Sequence, residues 1–181
     1  MSLSKWLLRM AAATAAGATI LMAGCTISPV YGPTAGGRIP TAELAAITIS
    51  SPPTPLNDPI VSRVEQEVRN DLVFAFTGGA AASPPRYTLR LNTIVNETLL
   101  GVTRIETAPS YSVHVAVSYE LAEIKSGRIV ARGVATGVAS YDRFNQAFAN
   151  TRARRDAEDR AASSAADDIR LRLAAALSAG A

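Results

Sequence analysis

Between Tyr111 and Ala122 the chain alternates without a break. Tyr111, Val113, Val115, Val117, Tyr119 and Leu121 hold one phase, and Ser112, His114, Ala116, Ser118, Glu120 and Ala122 hold the other. A period of two sustained over this length specifies a strand with one buried and one solvated face. Such a strand needs neighbours, and the flanking sequence offers them. Tyr87, Leu89 and Leu91 alternate with Thr88, Arg90 and Asn92, and the pattern runs on toward Val95. Lys125-Ser126-Gly127-Arg128 is a tight polar turn leading into a further strand, Ile129 to Tyr141. The short links predict antiparallel pairing of these three strands. In the last of them Ala131, Gly133, Ala135, Gly137 and Ala139 share one face. That face either lets a helix approach closely or leaves room for a partner.

Helical segments bracket the strands. Asp58-Pro59 combines an N-cap carboxylate with proline at the first helical position. Ile60, Val61, Val64, Val68, Leu72 and Phe76 then fall on one face, and Gly78-Gly79 stops the run. From about Gln146 to Leu177 a narrow stripe of Ala157, Ala161, Ala165, Ile169 and Leu173 marks a long helix, with Ala166 and Ala176 beside it. Arg155/Asp159, Asp156/Arg160 and Asp168/Arg172 stand four apart, where a helix brings side chains together. Arg152, Arg154 and Arg155 invite a nucleic-acid or anionic-lipid reading. Asp156, Glu158 and Asp159 follow directly, and the favoured reading is a solvated face of mixed charge. Ala45 to Ser50 is a short strand ended by a proline cluster. The expected fold is therefore α+β, a two-layer sandwich. A mainly antiparallel sheet of about four strands carries two helices on one face.

The N-terminus reads as an address. Lys5 and Arg9 precede an uncharged run rich in alanine, which ends in Leu21-Met22-Ala23-Gly24-Cys25. A basic region, a short apolar region and small residues in that order form a secretory signal. The run is weakly hydrophobic and shorter than the roughly 20 apolar residues of a spanning helix, so a transmembrane anchor is the lesser alternative. Cys25, the single cysteine, follows the small residues as the cysteine of a bacterial lipobox does, with Met22 where leucine is usual. A buried core thiol and a reactive thiol are the competing readings. The second lacks a nearby base to lower its pKa. Cleavage between Gly24 and Cys25 and acylation of Cys25 anchor the mature chain stably, since more than one acyl chain is involved. Thr26, rather than aspartate, follows the cysteine, which by the general sorting pattern favours the outer membrane. Residues 1–24 are thus expected to be a signal peptide, 25–40 a lipidated tether rich in Pro, Gly, Ser and Thr, and 41–181 a single domain.

Composition excludes more chemistry than it suggests. One cysteine and one histidine, His114, build neither an internal disulfide nor a zinc site. The chain holds 18 basic and 15 acidic residues, and loss of Lys5 and Arg9 leaves 16 against 15. That balance gives no basis for nucleic-acid binding. No nucleophile elbow, P-loop, HExxH or dinucleotide fingerprint occurs. Glu97 and Glu106 lie near loops, but no pairing singles them out. No catalytic residue, metal ligand or cofactor site is assigned. The expectation is a non-enzymatic binding module whose only added group is the lipid on Cys25.

Cys25 followed by Ser28-Pro29-Val30-Tyr31-Gly32 resembles the start of alphaproteobacterial lipopolysaccharide-assembly lipoproteins, the LptE family. Ser140-Tyr141-Asp142-Arg143-Phe144-Asn145-Gln146-Ala147-Phe148-Ala149-Asn150, running into Arg154-Arg155-Asp156-Ala157-Glu158-Asp159-Arg160, is similar to that family's last strand and C-terminal helix. Thr26-Ile27 stands where the family tends to have Gly-Phe, and Val30 where it has leucine. The resemblance implies an outer-membrane lipoprotein that plugs the lumen of the LptD β-barrel. It implies assistance to the folding of that barrel and to the passage of lipopolysaccharide to the cell surface. It also implies lipopolysaccharide contact through basic residues near strand ends. By position these are Arg104, Lys125 and Arg128. An auxiliary lipoprotein of an ABC-type lipid or solvent transport system is the alternative, and a lipid-anchored periplasmic hydrolase a more distant one.

Overall fold

The computed structural model describes residues 40–50, 58–81, 83–100 and 109–179. The signal segment, Cys25, the tether before Pro40 and the loop carrying Arg104 and Glu106 lie outside the described residues. The elements run α1 (Pro40–Leu44), β1 (Ile47–Ser50), α2 (Pro59–Thr77), β2 (Tyr87–Leu99), β3 (Ser110–Glu123), β4 (Ile129–Asp142) and α3 (Ala147–Ala179). The fold is the expected α+β sandwich: one four-stranded sheet in the order β1-β2-β3-β4, with the helices on one face. The five-residue α1 is an addition to the expected pair of helices. Its first residue, Pro40, had been assigned to the tether.

Local sequence explains the boundaries. The Asp58 carboxylate accepts the backbone N–H of Ile60 at 2.8 Å and that of Val61 at 3.4 Å, and Pro59 opens α2. Gly78, at φ 61°, closes it in the left-handed conformation, its N–H donating to Phe74 O. Asp58→Ala leaves two amide donors of the first turn unserved and is expected to cost about 1 kcal/mol in a urea melt. A loss below the error of the melt would show that solvent serves those amides equally well.

β1 pairs parallel with β2, because α2 carries the chain back across the sheet between them. β2, β3 and β4 are antiparallel, with Leu91, Tyr119 and Gly133 in one row. Odd-numbered residues of all three point toward the helices. Leu89, Val113, Val115, Val117, Leu121 and Ala135 meet Val64, Val68 and Leu72 of α2 and Ala157, Ala161, Ala165, Ile169 and Leu173 of α3 in a single core. α2 lies mainly over β2 and α3 over β4. The small-residue face of β4 is thus taken by a helix. A Cβ built on Gly137 would stand 1.9 Å from the backbone oxygen of Ala161. Among the described residues the even-numbered face of the sheet carries no helix.

Candidate functional site

Three long strands give the domain two poles. The β3–β4 turn lies at one, where Gly127 adopts φ 69° and its N–H donates to Glu123 O at 2.8 Å. Lys125 and Arg128 are exposed there, between the exposed Ile124 and Ile129. Among the described residues neither cation has an ion-pair partner. The loop that carries Arg104 leaves the sheet at Leu100 and returns at Pro109, at the opposite pole. Thirteen residues of β2 at roughly 3.3 Å each separate the poles by about 40 Å. Lys125 and Arg128 therefore stand at the pole opposite Leu100 and Pro109, and Arg104 itself lies outside the described residues.

The pole at Leu99, Tyr111 and Asp142 holds most of the domain's organised charge. Glu97 of β2 accepts a hydrogen bond from the Tyr141 hydroxyl of β4 and pairs with Arg143 at 3.2 Å and Arg154 at 3.0 Å. Arg143 also lies 4.1 Å above the Tyr111 ring, and Tyr111 stacks on Tyr141 with centroids 5.6 Å apart. Burial pushes the Tyr141 phenol above its ordinary pKa, and its bond to Glu97 adds to the rise. Arg154 reaches back one turn to Glu158, an ion pair at 3.2 Å without hydrogen-bond alignment. Glu158 is only 3% exposed. Its other oxygen takes Arg63 of α2, which also bonds Asp159. Burial alone would lower the Arg63 pKa; the hydrogen bonds to Asp159 and Glu158 outweigh it and raise it. The chain of charges thus ties α2, α3, β2 and β4 together.

This network settles the arginine cluster in a way that spacing did not. Asp156 pairs with Arg160 at 2.9 Å and Asp168 with Arg172 at 2.8 Å, both as four-residue spacing predicts. Asp159 does not pair with Arg155; it turns to Arg63, which is distant in sequence. The acids that follow the cluster are therefore committed to Arg63, Arg154 and Arg160. Arg152 and Arg155 are exposed and, among the described residues, have no ion-pair partner. They share a helix face with Phe148, four and seven residues earlier. Phe148 is 79% exposed, and Phe144 at the foot of the helix is 63% exposed. Leu99 and Leu100 are also exposed at this pole. The solvated face of mixed charge is present, with Arg152 and Arg155 exposed beside the exposed Asp156. The resulting surface sets two exposed cations beside exposed aromatic rings, with Asp156 and Asp159 on the same patch.

Among the described residues no cluster of His, Cys, Asp and Glu is grouped to hold a metal, and no helix is long and apolar enough to cross a membrane. His114 is exposed on the helix-free face. Known proteins bear on what such a domain is. A solved structure of a lipoprotein from Caulobacter crescentus CB15 is 26% identical, with a TM-score of 0.57, covering 78% of this chain and 97% of that one. A minor lipoprotein from Acinetobacter baumannii aligns at 16% identity and a TM-score of 0.45, over 71% of this chain and 88% of the other. The rare lipoprotein B of Shewanella oneidensis aligns at 15% identity and a TM-score of 0.44, over 68% and 89%. No curated protein matches in sequence. The family model for LptE, lipopolysaccharide assembly, matches residues 44–173, from the end of α1 to the last turns of α3. The chain belongs to the LptE family, the non-enzymatic, outer-membrane-associated lipoproteins of lipopolysaccharide assembly.

Proposed function

We propose that this chain, acylated at Cys25 after cleavage behind Gly24, partners an LptD-type β-barrel of the outer membrane. In this reading the domain plugs the lumen of that barrel, assists its folding and assists delivery of lipopolysaccharide to the outer leaflet. The family match across nearly the whole described domain carries the reading. The structure is compatible with it. A large barrel encloses a polar lumen, and the helix-free sheet face and outer helix surfaces of this domain are largely polar or small. The test is a pull-down through the C-terminus from membranes in mild detergent. A large outer-membrane barrel is expected to co-purify. Recovery of an inner-membrane ATPase with a substrate-binding partner instead would favour the transport-system alternative.

Lipopolysaccharide contact is placed, in the same reading, at the pole of Arg152, Arg155 and Phe148, where the loop bearing Arg104 also emerges. Lys125 and Arg128 form the competing contact at the other pole. Arg152→Glu with Arg155→Glu is expected to weaken lipopolysaccharide binding by the purified chain at least about tenfold, the factor carried by two charge-assisted contacts. Lys125→Glu with Arg128→Glu is the comparison. A larger loss from that pair would move the contact to the β3–β4 turn.

A further inference from the structure

β4 is an outer strand of the sheet, fourteen residues long, and among the described residues one of its edges faces no other strand. The hydrogen bonds at its end define that edge. Just beyond the two strands Arg143 N–H donates to Pro109 O at 3.1 Å, which continues the β3–β4 ladder by one step, so odd-numbered residues of β4 turn their backbone groups inward to β3. Even-numbered residues turn theirs outward. The Arg160 guanidinium confirms the sense by donating to Ser140 O at 2.9 Å. From Arg132 through Val138 the outward N–H and C=O groups have no protein partner among the described residues. The side chains of Val134 and Val138, 52% and 55% exposed, stand along the same edge on the helix-free face.

Sheets ordinarily guard such edges with proline, lysine, short strands or bulges. β4 contains neither proline nor lysine, and its one register shift lies opposite Leu121 and Ala122, at the far end. We propose that the β4 edge from Arg132 to Val138 is a strand-addition site that accepts an extended segment of a partner protein. Backbone groups repeated along a strand are satisfied by another strand and by little else. The segment would lay β-branched or apolar side chains beside Val134 and Val138. It would set small or polar ones beneath α3. Arg132, which has no ion-pair partner among the described residues, suits an acidic residue opposite. Antiparallel pairing with the β4 strand of a second copy does not fit. α3 stands directly over β4 at Gly137, and antiparallel pairing of two β4 strands would set two such helices about 5 Å apart. Packed helices need about 8–10 Å.

The test uses the full chain in its own envelope, with a photo-crosslinking residue in place of Val138 and a control probe at Asn92, two strands inward on the same face. Thr136→Pro removes an outward N–H and spares the ladder to β3. Val134→Lys charges the edge without touching the backbone, and replaces Thr136→Pro if that variant does not fold. The expected result is a crosslink from Val138 to a different polypeptide, mapped to an extended segment. Its yield falls at least about fivefold with Thr136→Pro, the weight of one lost hydrogen bond, or falls similarly with Val134→Lys where that variant stands in, because a lysine on the edge opposes strand addition. The Asn92 probe captures no such segment. Crosslinking to a second copy, crosslinking to residues 26–39 of the same chain, no crosslink at all, or a yield unchanged by the edge variants would each overturn the proposal. The inference is separate from the barrel reading: a segment captured from some other envelope protein sinks that reading and leaves this one standing.

Discussion

Gly137→Ala is expected to lower the melting temperature by roughly 10 °C. One methyl group carries this effect because of where it lands. The added Cβ would sit 1.9 Å from Ala161 O, 2.8 Å from Ala161 C and 3.0 Å from Ala165 N. All three are backbone atoms of α3, so no side chain can swing aside. The helix must lift from the sheet, and Ala157, Ala161, Ala165 and Ile169 lose contact with β3 and β4. Overpacking of this kind costs about 2–3 kcal/mol, and each kcal/mol is worth about 3–4 °C in a domain of this size. Gly133→Ala is the internal control. Its Cβ would stand 2.8 Å from the Tyr119 hydroxyl, the far end of a side chain. That contact yields more easily, and the expected cost is about 1 kcal/mol. Melts followed by circular dichroism decide the matter. If Gly137→Ala melts within 2–3 °C of the parent, helix contact is not what the small-residue face of β4 provides.

Glu158→Gln is expected to cost about 2–3 kcal/mol in urea denaturation. The substitution keeps the shape of a nearly inaccessible side chain and removes its charge. Arg63 and Arg154 then converge on a neutral amide, although each retains a second acid, Asp159 or Glu97. Breaking a buried ion pair costs about 3–5 kcal/mol. The lower figure applies because both arginines are about a third exposed and partly screened. A double-mutant cycle isolates the pair. Arg63→Met with Glu158→Gln should cost less than the two single changes together, by about 1 kcal/mol or more. Additive losses would mean that Glu158 holds α3 through Arg154 alone.

The elements were largely legible in the sequence. Asp58-Pro59 and Gly78 mark the ends of α2 because capping and left-handed closure are local requirements. β3 and its buried face follow from strict alternation, which a strand alone accommodates. α1 escaped notice, since five residues carry too little periodicity. Successive hairpin links of a meander fall at opposite ends of the sheet, so the order of links along the chain already sets the Lys125–Arg128 turn at the pole opposite Leu100 and Pro109.

Other features were decided only by the folded chain. Four-residue spacing correctly paired Asp156 with Arg160 and Asp168 with Arg172, because a helix fixes such distances by itself. It could not foresee that α2 would bring Arg63 against Glu158 and Asp159 and so leave Arg152 and Arg155 to solvent beside Phe148. Nor could the glycine and alanine face of β4 tell whether a helix or a partner filled it. Backbone conformation and burial phase depend on near neighbours and are written along the chain. The choice among competing charged partners, and the occupant of a flat face, depend on which distant segment arrives, and only tertiary packing decides that.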